Sequence, residues 1–236
     1  MSAAAPCCRP TFFPSVFNQV PATTVQSRLR DSFCRWGLPE AFGLDCGHPW
    51  GIWNDLPTAF ALWLVGLGIA LHFCPVGQKQ LQGVVEKAQD TGQRWAEAGR
   101  CHSVAELQAR LDEMDRIQRE EYPSLGGHSR WAVFPQLQQP LRSYSLAWEE
   151  EHWELRRAQE YLAGHTALRR ASSQGQVRIY NRRYSVGVKH RHETVQVYYE
   201  VETGEWVFLS ATGVVLRRLR ATEISRERIR SLDVSA

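Results

Sequence analysis

Two acidic residues stand out by their positions in the chain. Asp45 follows a short apolar run, and Glu86 comes after a further forty intervening residues, in a polar stretch with helical character. Carboxylates brought together can bind divalent cations, because their oxygens suit hard metals such as Mg²⁺. Each residue also has a simpler explanation, since Asp near Gly is ordinary turn chemistry and Glu on a polar helix face is usually only solvated. A metal site therefore needs support from the surrounding sequence.

The elements around these carboxylates follow a helix and strand pattern. Apolar residues at helical spacing predict a helix from about 23 to 36, ended by a glycine and a proline. The apolar run 41–44 predicts a buried strand with Asp45 at its carboxyl end, where ligands bind in open α/β sheets. A later helix, from about 81 to 98, carries Glu86.

The uncharged span between the two carboxylates could be mistaken for a membrane segment. Residues 56–76 contain no Lys, Arg, Asp or Glu, but the strictly apolar part, 59–71, is short for a membrane helix and contains Gly66 and Gly68. We therefore expect a buried helix, a glycine turn and a buried strand that ends at Pro75, with no membrane association.

Cysteine usage indicates the compartment and offers a rival chemistry. The six cysteines have no regular spacing and the N-terminus lacks a signal-peptide pattern, so a reducing, cytoplasmic setting is expected. Zinc ligands are conceivable among six Cys and His residues, and structural zinc sites favour Cys-x₂₋₄-Cys pairs that this set lacks. The set is Cys46, His48, His72, Cys74, Cys101 and His102. We interpret them as core and loop residues.

The C-terminal part is basic and has the period of β-strands. Residues 166–236 contain thirteen Lys or Arg against seven Asp or Glu. Short alternating runs between 177 and 209, separated by turn residues, predict a small β-barrel. Its predicted basic face consists of Arg178, Arg182, Arg183, Lys189 and Arg191. Such a face would make salt-dependent phosphate contacts, although a barrel surface without a ligand is an alternative. The basic stretch 217–230 is predicted as a tail helix.

The motifs, taken in order, resemble a known family. They are Gly37-Leu38-Pro39, Asp45-Cys46-Gly47, Gly68-Ile69, Pro75 and Gly83-Val84-Val85-Glu86-Lys87. Together they are similar to the second half of the catalytic core of insertion-sequence transposases and retroviral-type integrases, which are ribonuclease-H-like Asp-Asp-Glu enzymes. The resemblance continues to about residue 222, where the C-terminal strands resemble the SH3-like barrel that follows the core in many of these proteins.

The resemblance implies DNA strand transfer with two metal ions. In that family, carboxylates hold two Mg²⁺ or Mn²⁺ ions that activate the nucleophile and stabilise the leaving oxygen of a phosphodiester. Asp45 and Glu86 would be the second and third metal-binding carboxylates. Lys79 and Lys87 would approach DNA phosphates near that site, so DNA is the expected partner.

The departures from the family pattern limit this expectation. Cys46 and Gln82 stand where the family has Asn. The family carries its first aspartate on a strand further upstream of Asp45 than this sequence reaches, and Asp31 falls on a predicted helix instead. We therefore expect the isolated chain to be an inactive, N-terminally truncated core, completed by an upstream polypeptide or by self-association. The alternative is a decayed, non-catalytic fragment that still binds DNA.

The expected fold class is α/β, with a truncated ribonuclease-H-like core followed by a helical linker and an SH3-like barrel. The expected divisions are an irregular segment 1–22, a partial catalytic core 23–125, a linker with a helix 126–173, a β-barrel 174–222 and a basic tail 223–236. Within them, a capping box at Ser103 predicts a helix to about 122, and a further helix is predicted over 148–162 with Trp153 facing inward.

Overall fold

The computed structural model describes residues 21–44, 50, 55–73, 83–140 and 142–234. This part of the chain is mixed α/β, with small sheets. It forms two compact units: a first unit with the described residues of 21–39 and 83–147, and a second unit with the described residues of 40–73 and 148–234. None of the helices within the described ranges has the length and apolar character needed to cross a membrane.

The helices are α1 (Ala22–Trp36), α2 (Ala59–Gly66), α3 (Gly83–Ala96), α4 (Val104–Glu120), α5 (Arg130–Val133), α6 (Leu146–His152), α7 (Leu155–Ala163) and α8 (Arg226–Arg230). The strands are β1 (Ala41–Leu44), β2 (Ala70–Phe73), β3 (Thr166–Arg170), β4 (Gln176–Ile179), β5 (Arg182–Ser185), β6 (Thr194–Glu200), β7 (Glu205–Leu209) and β8 (Val215–Arg220).

The first unit packs α3 against α4 around a small apolar core. Ala96 of α3 contacts Leu111 and Met114 of α4. The predicted capping box begins α4: the Ser103 hydroxyl accepts the Glu106 amide, and the Glu106 carboxylate accepts the amide of His102. Local sequence therefore sets where this helix starts.

Helix α1 ends in the same unit at a glycine that no other residue could easily replace. Gly37 has a φ of +78°, and a Cβ there would lie 2.6 Å from the carbonyl oxygen of Arg142. The close approach allows the Leu38 amide to donate to that carbonyl at 2.8 Å. The predicted helix end is confirmed, with a tertiary contact that explains it.

A buried ion pair lies on α4 beneath Trp36. The Arg119 guanidinium stands 3.8 Å from the centre of the Trp36 ring and 2.5 Å from the Asp115 carboxylate. Although the charged groups are close, their angles do not make a hydrogen bond, and no other described group bonds either side chain. Burial raises the pKa of Asp115 and lowers the pKa of Arg119. Desolvation therefore outweighs mutual attraction in this pair.

Three sheets form the second unit. Strands β1 and β2 pair in parallel, β3, β6, β7 and β8 form an antiparallel sheet in the order β3-β6-β7-β8, and β4 pairs only with β5. Alternate residues of β6 and β7 face a common core that contains Val197, Tyr199, Trp206 and Phe208. The strands predicted at 41–44 and before Pro75 are both present, and so is the predicted run of short strands in the C-terminal part.

The apolar span is a buried helix that packs against α7 and α8. The Trp63 indole donates to the buried carboxylate of Glu149 at 3.1 Å, and the Trp153 indole donates to the Trp63 carbonyl at 2.9 Å. Gly66 lets this contact form, because a Cβ there would lie 2.1 Å from the Trp153 ring. The predicted helix and glycine turn are confirmed, with Gly68 at φ +73°. The predicted burial of β2 is wrong, because its residues are exposed or half-buried.

Two other predictions need correction. The single helix over 148–162 is two helices, because the chain breaks where Trp153 turns into the core. The tail helix over 217–230 is wrong in its first part, since 215–220 form β8, whose leucines three residues apart imitate helical spacing. Strand β3 was not foreseen, because only its Ala167 is buried.

Candidate nucleic-acid interface

The predicted metal ligands fall largely outside the described residues. Asp45 lies there, and so does Lys79, which was predicted to contact DNA phosphates near the metal site. Glu86 is on α3, but its side chain is also outside the description, whereas Lys87 on the same helix is exposed. In the described ranges, no three His, Cys, Asp or Glu residues are grouped so that they could hold a metal ion. The metal pair therefore remains a prediction.

The residues considered as zinc ligands also lie partly outside the described residues. Cys46, His48 and Cys74 lie outside the described residues. His72 lies on β2, and Cys101 and His102 precede α4. These three described residues take part in no metal-binding group within the part of the chain that the structure describes.

The basic residues of the second unit are well described, and the β4–β5 hairpin sorts them by face. Val177 pairs with Tyr184 across the hairpin, and both are buried. Because side chains alternate along a strand, the next pair, Arg178 with Arg183, points to the other face. Both arginines are exposed. We call these two residues the arginine pair.

The arginine pair carries charge that no carboxylate in the described chain offsets. Arg178 donates from Nε to the Tyr180 carbonyl at 3.2 Å and from Nη2 to the Asn181 side-chain oxygen at 2.7 Å. Both acceptors are neutral, so the turn orients the guanidinium without cancelling its charge. Like charges directly opposite each other destabilise a hairpin, and a bound anion would relieve this.

Two further predicted cations lie at the open end of the hairpin. Lys189 and Arg191 are exposed, and neither has a carboxylate partner among the described residues. The loop that carries them is tied to the start of β4 by Gly175, whose carbonyl accepts the amides of Val186 and Gly187. A Cβ on Gly175 would lie 2.2 Å from the Gly187 oxygen, so the close approach requires glycine there.

Arg182 is placed differently from the other four. It lies opposite the buried Ile179, and its guanidinium bonds the Thr222 hydroxyl. Its Nε is also 4.0 Å from the carboxylate of Glu223. The structure thus brings Arg182 to a compensating negative charge, whereas the sequence had assigned it to the same basic face as the others.

Three exposed arginines that the predicted basic face left out also lack a carboxylate partner in the described ranges. They are Arg170, Arg217 and Arg220, on β3 and β8. Other arginines of this unit are paired, such as Arg218 with Glu200 and Arg169 with Asp55 at 2.6 Å. Arg217 and Arg220 were left out because 217–230 was predicted as a helix; a predicted strand at 215–220 would have added both to the basic face.

A buried carboxylate lies beneath the hairpin. Glu223 is 1 % exposed, and it accepts the Tyr184 hydroxyl at 2.5 Å and the Trp206 indole N–H at 2.8 Å. Burial, followed by the hydrogen bond to Glu223, raises the pKa of Tyr184. The tyrosine therefore stays protonated and donates to the carboxylate throughout the physiological pH range.

The exposed cations together make a surface that attracts anions. Its exposed guanidinium groups have the geometry that matches phosphate oxygens. No protein-family model matches the chain.

Proposed function

We propose that this protein binds DNA through the phosphate backbone, as part of an integration or transposition system. The observation that carries the proposal is the arginine pair: two exposed guanidinium groups opposite each other on one hairpin, without a carboxylate partner in the described chain. Evenly spaced phosphates would offset both charges. Such contacts position a protein on DNA without reading its sequence.

The catalytic part of the proposal rests on the resemblance. We propose that residues 23–125 derive from a ribonuclease-H-like core and that the C-terminal strands form an SH3-like barrel. Asp45 and Glu86 offer the oxygen ligands that Mg²⁺ or Mn²⁺ prefers, and the bound metal would activate the attacking oxygen in phosphodiester transfer. A complete centre of this kind has a further carboxylate beside these two.

A second candidate function is a non-catalytic fragment that only binds DNA. The setting of Asp31, which precedes Asp45 in the sequence, supports it. This residue lies on α1, is mostly exposed and pairs with Arg28 at 3.4 Å. It is thus a helix-surface partner of an arginine, in a setting unlike that of a metal ligand.

Replacing the arginine pair tests DNA binding. Arg178→Gln with Arg183→Gln is expected to weaken binding of a duplex oligonucleotide at least about tenfold near 0.1 M salt, and to reduce the slope of log affinity against log salt by about 1.8, because two phosphate contacts are lost. Fluorescence anisotropy over a salt series measures both quantities.

The matched control removes two arginines that carboxylates already offset. Arg156 pairs with Glu160 and Glu202, and Arg157 pairs with Glu154. Arg156→Gln with Arg157→Gln should leave the salt slope unchanged. Equal losses in the two double variants would mean that binding follows net charge alone, and the proposed role of the hairpin would be withdrawn.

Strand transfer tests whether this chain by itself carries a working catalytic centre. The chain alone is expected to give no joined product on labelled oligonucleotides in Mn²⁺, because the carboxylate set is incomplete. A product that disappears in Glu86→Gln, but persists in Glu97→Gln, would show that the chain carries a working centre. Glu97 is a suitable control since it follows α3 and pairs only with surface arginines among the described residues.

A further inference from the structure

We infer that Glu223 is a positioning residue for the arginine pair and acts through Tyr184. The inference rests on the proposed DNA binding, and it assigns to a buried carboxylate the task of holding the binding surface in place. Its basis is how the β4–β5 hairpin is attached to the rest of the second unit.

The hairpin has no backbone ladder to any other described strand. Strands β4 and β5 pair only with each other, while β3, β6, β7 and β8 form a separate sheet. A two-stranded hairpin alone is marginally stable in water. Its placement must therefore come from side-chain contacts.

Two of those contacts are aromatic and lack direction. The Tyr180 ring lies 6.0 Å from the Trp206 ring, and the Tyr184 ring lies 5.8 Å from Phe208. Aromatic packing of this kind resists separation of the hairpin from β7 but permits small shifts along it. A hydrogen bond to a buried charge is shorter, stronger and directional.

Glu223 supplies such bonds between the two sheets. One carboxylate oxygen accepts from Tyr184 on β5, and the other accepts from Trp206 on β7. Tyr184 is the immediate neighbour of Arg183, so fixing the tyrosine on the inner face fixes the direction of the arginine on the outer face. Two other anchors hold the β4 side: the Tyr180 hydroxyl donates to the Pro57 carbonyl, and Arg169 donates to the Arg178 carbonyl.

The same carboxylate also lies near the arginine that strand alternation places on the inner face. Its charge lies 4.0 Å from Arg182, on the face opposite the arginine pair. The inner guanidinium is thereby neutralised and the two outer ones are left available. On this short hairpin, Arg182 therefore pairs with Glu223 within the protein, whereas Arg178 and Arg183 are left to bind phosphate.

The test uses Tyr184→Phe in the full chain, because this change removes one hydroxyl and keeps the ring. DNA affinity is expected to fall about two- to tenfold, the range of one lost hydrogen bond, and the salt slope should move toward that of the arginine-pair variant. In the Arg178→Gln and Arg183→Gln background, Tyr184→Phe should add nothing, because Glu223 acts through those arginines.

Tyr199→Phe is the matched control. Tyr199 is a buried tyrosine of the same unit whose hydroxyl accepts from Gln159, away from the hairpin. Tyr199→Phe should lower the free energy of unfolding about as much as Tyr184→Phe does, but it should leave the salt slope of DNA binding unchanged. Glu223→Gln serves as a second variant, since it removes the charge and keeps one acceptor oxygen for the Trp206 indole, while its NH₂ group can donate to the Tyr184 hydroxyl oxygen; an intermediate loss is expected.

The outcomes distinguish the inference from the proposed function. If the arginine-pair variant loses binding but Tyr184→Phe and Glu223→Gln bind as the wild type does, the inference is overturned and DNA binding stands. If the arginine-pair variant binds normally, the proposed function fails. In that case, amide hydrogen exchange tests the positioning role without DNA. Faster exchange across β4 and β5 in Tyr184→Phe than in Tyr199→Phe supports the role, and equal exchange rates in the two variants refute it.

Discussion

Gly66→Ala is expected to destabilise the second unit by about 3 kcal/mol or more. The added Cβ would lie 2.1 Å from Cε2 and 2.3 Å from Nε1 of Trp153. That ring cannot easily move, because it is 1 % exposed and its indole N–H is bonded to the Trp63 carbonyl. In an ordinary helix the same change would add stability, so a loss here isolates the clash.

Urea unfolding followed by tryptophan fluorescence and circular dichroism measures this effect. Gly92→Ala is the matched control, because Gly92 lies within α3 and a Cβ there would meet only Met114 at an ordinary 3.6 Å. The control should gain about 0.5 to 1 kcal/mol. If both variants gain stability, the close packing of α2 on Trp153 is not present in solution.

Asp115→Asn is expected to destabilise the first unit by about 3 to 5 kcal/mol. The change leaves Arg119 buried beneath Trp36 with no negative charge beside it. By contrast, Asp115→Leu combined with Arg119→Met should be neutral or stabilising, because it removes both desolvated charges and fills the space with apolar atoms.

Asp112→Asn controls for charge on the same helix. Asp112 is exposed one turn earlier and accepts only from Gln108 among the described residues. Its replacement should change the unfolding free energy by less than about 0.5 kcal/mol. A double variant that is as unstable as Asp115→Asn would contradict the argument, since the loss would then come from packing and not from an unpaired charge.

Local signals in the sequence were enough to find most of the elements. The run at 41–44, the glycine turn at Gly68 and the capping box at Ser103 each depend on neighbours within a few residues, and the structure confirms all three. Strand β3 gave no such signal, because it buries only one small side chain. Strand β8 gave a misleading one, because its leucines are spaced as in a helix.

The candidate interface was predictable only in part, because some of its contacts join residues that are far apart in the sequence. The sequence placed Arg178 and Arg183 on a basic face, but it placed Arg182 there too, although side-chain alternation puts Arg182 and Arg183 on opposite faces of β5. The compensation of Arg182 depends on Thr222 and Glu223, some forty residues later, and no local pattern reveals that contact. The same limit applies to the core, where Trp63 meets its partners on α6 and Trp153 only after the chain has folded back.

The segment order of the second unit has a consequence for synthesis. Helix α2 is made early, but Glu149 and Trp153, which bond Trp63, follow 86 and 90 residues later. At ribosomal rates of about 5 to 20 residues per second, roughly 4 to 18 seconds pass between the synthesis of the apolar helix and the synthesis of these two partners. During that interval its surface is open to chaperones and to other nascent chains. The yield of native protein should therefore depend on translation speed and chaperone supply.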